Sequence, residues 1–388
     1  VGRFSFALKK YSFTIYNAAE KLPKDWDEVA YDNIFLQTHY LNVLEKSAPI
    51  NMQCFFIGIF ESTELIGVAL AQYLNLNNLE SFGERDKCLK TSIRNFVFKN
   101  FASHVLFLGN NMITGQNGYH FKKDISFNEI GKLLLLCSEE IIAYFKKQKT
   151  KIHIVSFKDF YQDCASELKT NTFSTVYEFN TQPNMIFKIP SHWKTKEDYV
   201  ASFSKKYRDQ YKRAHKKIEG IETHELTLEE TIQHENRIYE LYHHVAKNAP
   251  FNTFFLARNH FSTFKKQCGE RFKIVGYFQN EILVGFHTIL LNGNTLETYF
   301  LGYDEKVQKE SMLYLNMLYT MTEFAIENNF GRIIFGRTAL EIKSSIGAEP
   351  VIMSGFIYHT NSMINKFLPK IFPKLEPTLA WQQRHPFK

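Results

Sequence analysis

The segment TLETYFLGY, residues 295–303, sets a carboxylate, Glu297, two residues before a phenol, Tyr299, and ends on a second phenol, Tyr303. Residues two apart share a face of a strand. Thr295, Glu297, Tyr299, Leu301 and Tyr303 are therefore expected on one side, and Leu296, Thr298, Phe300 and Gly302 on the other. A carboxylate so placed can take a proton, and a phenol can give one or steady a developing oxyanion. His287, in VGFHTILL, is a second candidate base, since a free imidazole titrates near about 6.5. The competing roles are a solvated sheet face for Glu297 and a satisfied core or surface position for His287.

A second cluster lies in FGRTALEIKSSIGAEP, residues 335–350. An apolar strand ends at Gly336 and runs into Arg337 and Lys343. Two cations there suit a carboxylate, sulfonate, phosphate or pyrophosphate, and arginine can grip such a group bidentately. The alternative is a helix-terminal turn with ordinary ion pairs. A third cluster, SKKYRDQYKRAHKK, residues 204–217, sets Lys205, Lys206, Arg208, Lys212, Arg213, Lys216 and Lys217 against a single acid, Asp209. Wound as a helix, it presents cations over most of its surface, with Tyr207 and Tyr211 as a narrow stripe. Its candidate partners are an acidic acyl carrier protein, an anionic membrane surface or a tRNA backbone; a solvated face is the plain alternative.

Other chemistries find no support. There is no HExxH and no GxSxG, and the adjacent His243 and His244 face different ways on a helix, so no metal is expected. Five scattered cysteines without a CxxC read as free thiols of a reducing compartment. No apolar run approaches the roughly 18 to 20 residues of a membrane span. No signal peptide is legible, and the absent initiator Met reads as a trimmed start. A cytoplasmic location follows as the expectation, with peripheral contact at the inner membrane face as its variant. A net charge of +7 biases the chain toward acidic partners. The abundance of Phe and Tyr reflects either base composition or an aromatic-lined cleft.

These residues need elements to hold them. The 388 residues suffice for two domains. Helical and strand patterns alternate in both halves. RFKIVGYFQNEILVGFHTILLNGNTLETYFLGY reads as three strands, QKESMLYLNMLYTMTEFAIENN as one long helix, RIIFG as a strand and GFIYHT as a further strand of the same half. IGIFESTELIG (57–67) parallels VGYFQNEILVG (275–285), with Gly58/Gly67 and Gly276/Gly285 at the same separation. This points to a duplication: two α/β domains of mixed sheets, over 1–180 and 181–388, with a cleft between them. The tail INKFLPKIFPKLEPTLAWQQRHPF is expected to pack on the second domain or to lie at a membrane interface.

Hairpin, third strand, long helix, strand and glycine-bearing turn form the order of the GNAT acyltransferase core, which residues 272–360 resemble. The tandem arrangement, with FGRTALEIKSSIGAEP after the last core strand and SKKYRDQYKRAHKKIEGI opening the second domain, resembles the Fem-type peptidoglycan aminoacyl transferases. It is more similar still to FemAB-like acyltransferases related to bacterial ceramide synthase. The resemblance implies an enzyme that moves an acyl group from acyl-coenzyme A or acyl carrier protein to a primary amine. The amine would be a small molecule or a lipid precursor such as a sphingoid base or sulfonated analogue. No tightly bound cofactor is implied. In that chemistry Glu297 would act as base, Tyr299 or Tyr303 as acid or oxyanion donor, and Arg337 and Lys343 as an anion clamp. The coenzyme A loop of the family is glycine-rich. The equivalent VQKESMLYL, 307–315, has no glycine and offers a helix N-terminus with Lys309 and Ser311 beside it. The alternatives are a tRNA-dependent aminoacyl transferase acting on a peptidoglycan precursor, the one case that brings in nucleic acid, and a non-catalytic module that binds lipid or glycan.

Overall fold

A computed structural model describes residues 3–8, 10–31, 33–78, 99–249, 252–372 and 381–388. Cys88 and tail residues 373–380 lie outside the described residues. The described chain forms two mixed sheets. The first contains β1 (Arg3–Leu8), β2 (Tyr11–Tyr16), β3 (Met52–Glu61), β4 (Glu64–Asn75), β5 (His104–Leu108), β6 (Tyr119–Phe121), β7 (Ile154–Phe160) and β8 (Tyr177–Asn180). The second contains β9 (Asn184–Lys188), β10 (Glu222–Glu225), β11 (Phe272–Gln279), β12 (Ile282–Asn292), β13 (Thr295–Tyr303), β14 (Arg332–Gly336) and β15 (Glu349–Val351). A last strand, β16 (Ser354–His359), returns to the first sheet, between β7 and β8. GFIYHT is thus a strand, but of the other sheet from the one expected.

Two compact units follow this division. The first comprises Val1–Thr181, Asn252–Ala257 and Ile352–Thr378; the second comprises Gln182–Phe251, Arg258–Val351 and Leu379–Lys388. Two segments of the expected 181–388 domain therefore belong to the first unit.

The repeated hairpin is repeated in register as well as in sequence. In β3–β4, Ile59 faces Gly67 and Phe60 faces Leu65, so Ile66 is a bulge. In β11–β12, Tyr277 faces Gly285 and Phe278 faces Leu283, so Val284 is the matching bulge. The glycines leave room for neighbours: a Cβ on Gly285 would sit 2.8 Å from Leu313 and 2.9 Å from Met317 of the long helix Leu313–Glu327.

In the second unit, β11, β12 and β13 form an antiparallel meander. β14 joins β13 in parallel over only three pairs, Thr295–Arg332 to Glu297–Ile334. Beyond them the ladder stops, and the two strands continue without pairing. One sheet face packs on the long helix, where Tyr277, Ile289 and Leu296 meet Leu313, Met317 and Met321. The other face carries helices Glu235–Asn248 and His260–Cys268. There Phe261 packs edge-on to Phe286, with ring centroids 5.1 Å apart. A Cβ on Gly302 would lie 2.4 Å from the backbone of Leu241 and Tyr242, so glycine is what lets helix Glu235–Asn248 lie against β13.

Candidate active site

Simple alternation fails along β13, and the reason is a bulge. His287 faces Leu301 while Ile289 faces Thr298, so β13 spends an extra residue there. The Thr288 hydroxyl donates to the Phe300 carbonyl at 2.6 Å beside the irregularity. Upstream of the bulge, Leu296 joins the long-helix core and Glu297 points the other way. Tyr299 and Phe300 both lie on the Glu297 side: Tyr299 stacks on His260 and Phe300 packs edge-on to Tyr242. Downstream, Leu301 and Tyr303 pack against the long-helix core. Glu297 and Tyr299 thus share a face, as expected, whereas Leu301 and Tyr303 have crossed to the other. Tyr303 stands near Tyr314, and burial raises its phenol.

Glu297 is 4% exposed. Burial pushes its carboxyl up to about 7; the Asn292 amide, donating to Oε1 at 3.3 Å, and the Arg332 charge only partly oppose this. It occupies the last paired position before β13 and β14 part. A carboxylate poised near neutrality can accept a proton and release it. Next to it, the Tyr299 hydroxyl meets His260 Nε2 at 3.1 Å. His260 is fully buried, on helix His260–Cys268. His260 stands 37 residues upstream of Glu297, belongs to no spacing motif, and has no signal in the sequence.

His287 lies on the opposite face, its Nδ1 3.1 Å from the Tyr277 hydroxyl, and burial lowers its imidazole to about 3. It stays neutral at physiological pH and does not join Glu297.

At the end of β14, Gly336 has φ 73°, a conformation glycine tolerates, and the chain turns into the short helix Leu340–Ser344. The Lys343 ammonium folds back onto the carbonyls of Phe335, at 2.5 Å, and Gly336, at 3.3 Å. It is 4% exposed, and burial lowers it to about 7. Arg337 donates from Nε to the Gln182 carbonyl at 3.2 Å and is lowered to about 10 by burial. Both cations converge on the end of β14, but Lys343 directs two of its three donors at the backbone.

A residue without any motif or spacing signal lies on β9, beside β14. Asn184 opens β9, is fully buried, and has neither side-chain amide atom hydrogen-bonded. Met185 and Phe187 join the long-helix core, so Asn184 and Ile186 face the Glu297 side. The register runs Glu297 to Ile334 to Ile186, and Asn184 lies one alternation further along that face. A buried amide without partners costs about 1–3 kcal/mol unless something answers it.

The expected donor loop is built differently. The helix pattern breaks at Met312, which has φ 54°, into helices Glu305–Ser311 and Leu313–Glu327. Asp304 caps the first, accepting from the amides of Lys306 and Val307. An acid therefore holds the first amides of the short helix, whereas the long helix begins at Met312 without a side-chain cap. Lys309 pairs with Glu305 at 2.5 Å, and the Ser311 hydroxyl donates to the Val307 carbonyl at 2.6 Å. Neither is directed at an anion.

The basic segment forms helix Lys205–Lys217. Tyr207 and Ala214 are buried, and Tyr211 donates to Glu323 at 2.6 Å. Arg208 turns inward to the Phe203 carbonyl at 2.8 Å. Lys205, Lys206, Lys212, Arg213, Lys216 and Lys217 stay exposed, and among the described residues none forms an ion pair. Past residue 380 the tail packs on the second unit, where Phe387 stacks on Phe203 with ring centroids 5.6 Å apart.

This meander, the parted β13–β14 pair and the long helix between them define a GNAT acyltransferase domain. Residues 205–344 match the family described as acetyltransferase (GNAT) domain. No curated protein matches the chain in sequence. Among solved structures the chain is similar to FemX, with 12% identity and a TM-score of 0.55, covering 89% of this chain and 98% of that one. It is also similar to the C-terminal domain of a putative lysylphosphatidylglycerol synthetase from Agrobacterium fabrum, with 9% identity and a TM-score of 0.50, covering 90% and 96%. The chain shares the fold of FemX, and residues 205–344 within it match a GNAT domain.

Proposed function

We propose that the protein is an N-acyltransferase that moves a fatty acyl group from a thioester to the primary amine of a lipid precursor. The observation that carries this is Glu297, a buried carboxyl near neutrality, in the last pair before β13 and β14 separate. The amine nitrogen attacks the thioester carbonyl carbon, its proton passes to Glu297 directly or through one water, and the C–S bond breaks as the C–N bond is completed. The thiolate leaves and takes up a proton. Tyr299, hydrogen-bonded to His260, would donate to the oxyanion. The exposed cations of helix Lys205–Lys217 suit an acidic acyl carrier protein as donor.

A second reading draws on the donor loop. With no glycine in it, and with Lys309 already paired with Glu305, the loop is a poor cradle for the coenzyme A pyrophosphate. That favours a donor held elsewhere, either the carrier protein or an aminoacyl-tRNA delivering to a peptidoglycan precursor.

The test is mass spectrometry of the purified protein given palmitoyl-coenzyme A, palmitoyl-acyl carrier protein or charged tRNA. Long-chain amino alcohols, amino-sulfonates and a muropeptide precursor serve as acceptors. Thioester-dependent N-acylation that disappears in Glu297→Gln is the expected result. Transfer from tRNA alone would replace the lipid reading with the second. Silence with every donor would move the protein to the binding-module class.

A further inference from the structure

Ten large apolar side chains stand exposed among the described residues, and three of them fall on one ten-residue helix, Ser362–Ile371. Met363 is 72% exposed, Phe367 54% and Ile371 49%. Their four-residue spacing makes a single outward stripe. The inner side is already satisfied: Leu368 is buried and Ile364 half-buried. Asn361 caps the first turn by accepting from the amides of Met363 and Ile364. The outward stripe is therefore not a fragment of core left open by poor packing.

Its edges are cationic. Lys366 and Lys370 are exposed, each one residue before a stripe side chain, and the helix contains no acid. A second exposed aromatic and a lysine lie in the segment that binds the end of β16, the strand before the helix. Phe101, 41% exposed, accepts a hydrogen bond at its carbonyl from His359, the last residue of β16, and Lys99 beside it is exposed.

We infer that helix Ser362–Ile371 docks the protein on an anionic lipid surface. It lies in the plane of the interface, with Met363, Phe367 and Ile371 among the upper acyl chains and Lys366 and Lys370 on the headgroups. The chemistry selects this occupant. A second copy would bring the lysines against their own images. Three side chains also fall far short of the roughly 1,200–2,000 Å² buried in a stable protein interface. A membrane demands no such area, and its negative charge answers both lysines. The inference does not depend on the acyl-transfer reading, and its test does not use activity.

The full chain is sedimented with vesicles of phosphatidylglycerol and phosphatidylcholine in equal parts, and with phosphatidylcholine alone. Binding to the anionic vesicles is expected to be at least tenfold tighter and to weaken as salt rises. Met363→Ser with Phe367→Ser, and separately Lys366→Glu with Lys370→Glu, are each expected to weaken it at least tenfold. These side chains are exposed, so the variants should keep the wild-type melting temperature. No binding to anionic vesicles would overturn the proposal. So would binding that survives both double variants and disappears in Lys212→Glu with Arg213→Glu, which would assign the membrane to helix Lys205–Lys217. Sedimentation velocity that reveals a dimer abolished by Phe367→Ser would overturn it too, in favour of a second copy.

Discussion

Replacing Glu297 with glutamine should make the protein more stable and less active, with a pH signature that separates the two effects. The carboxyl titrates near 4.5 when unfolded and at about 7 in the fold, because burial disfavours its charge. At pH 4 it is protonated in both states and contributes no penalty. Between the two values the unfolded chain releases the proton and the folded chain keeps it, so stability falls as pH rises. Above pH 7 the penalty is complete, at about 3 kcal/mol for a displacement of this size. Glutamine matches the neutral acid in shape, can still accept from Asn292, and carries no such penalty. The variant's advantage should therefore grow from near zero at pH 4.5 to about 3 kcal/mol at pH 8. Chemical denaturation followed by tryptophan fluorescence at the two pH values measures it. Turnover should fall by roughly 10²–10⁴, the usual contribution of a general base. An advantage equal at both pH values would refute the assignment of a buried, neutral-leaning carboxyl. A pH-dependent advantage with full activity would leave the burial intact and remove Glu297 from the chemistry.

Three further outcomes follow from the same face of the sheet and its edges. Asn184→Leu removes two buried atoms without partners, so it should leave stability unchanged or raise it by about 1–3 kcal/mol; if the amide serves a substrate, kcat/KM falls while the melting temperature does not. Lys343 is held near 7 by burial, well below its value in the unfolded chain, so wild-type stability should climb relative to Lys343→Met as pH rises from 7 toward 10.5, measured by thermal melts across that range. Gly302→Ala drives a methyl into the backbone of Leu241 and Tyr242, where no side chain can yield, and should cost at least about 3 kcal/mol in a denaturation experiment.

Much of the frame could be read from the chain because it rests on local patterns. The twin hairpins announced themselves through paired glycines, and the structure repeats even their bulges. Glu297 and Tyr299 could be placed on one face because the alternation holds as far as Tyr299. Tyr303 could not, because an extra residue in β13 is invisible without the partner strand's register. Met312 breaks a helical pattern with a left-handed backbone, and no glycine or proline marks the break. His260 and Asn184 were unreadable for a simpler reason: they reach the site from strands and helices distant in sequence, and neither occupies a motif. Lys343 looked like a ligand-directed cation because a sequence gives charge but not direction.

The return of β16 to the first sheet bears on how the protein is made. β7 ends at Phe160 and its antiparallel neighbour ends at His359, so about 200 residues must be synthesised between them. At the usual 5–20 residues per second, translation leaves that edge of β7 without its native partner for roughly 10–40 s. An open strand edge templates wrong pairings. A nascent chain of the first 181 residues is therefore not a finished domain, and a stop before residue 354 would release a product with β7 and β8 both lacking the strand that joins them. Ribosome-bound intermediates of this protein should depend on chaperone protection until residues 354–359 emerge.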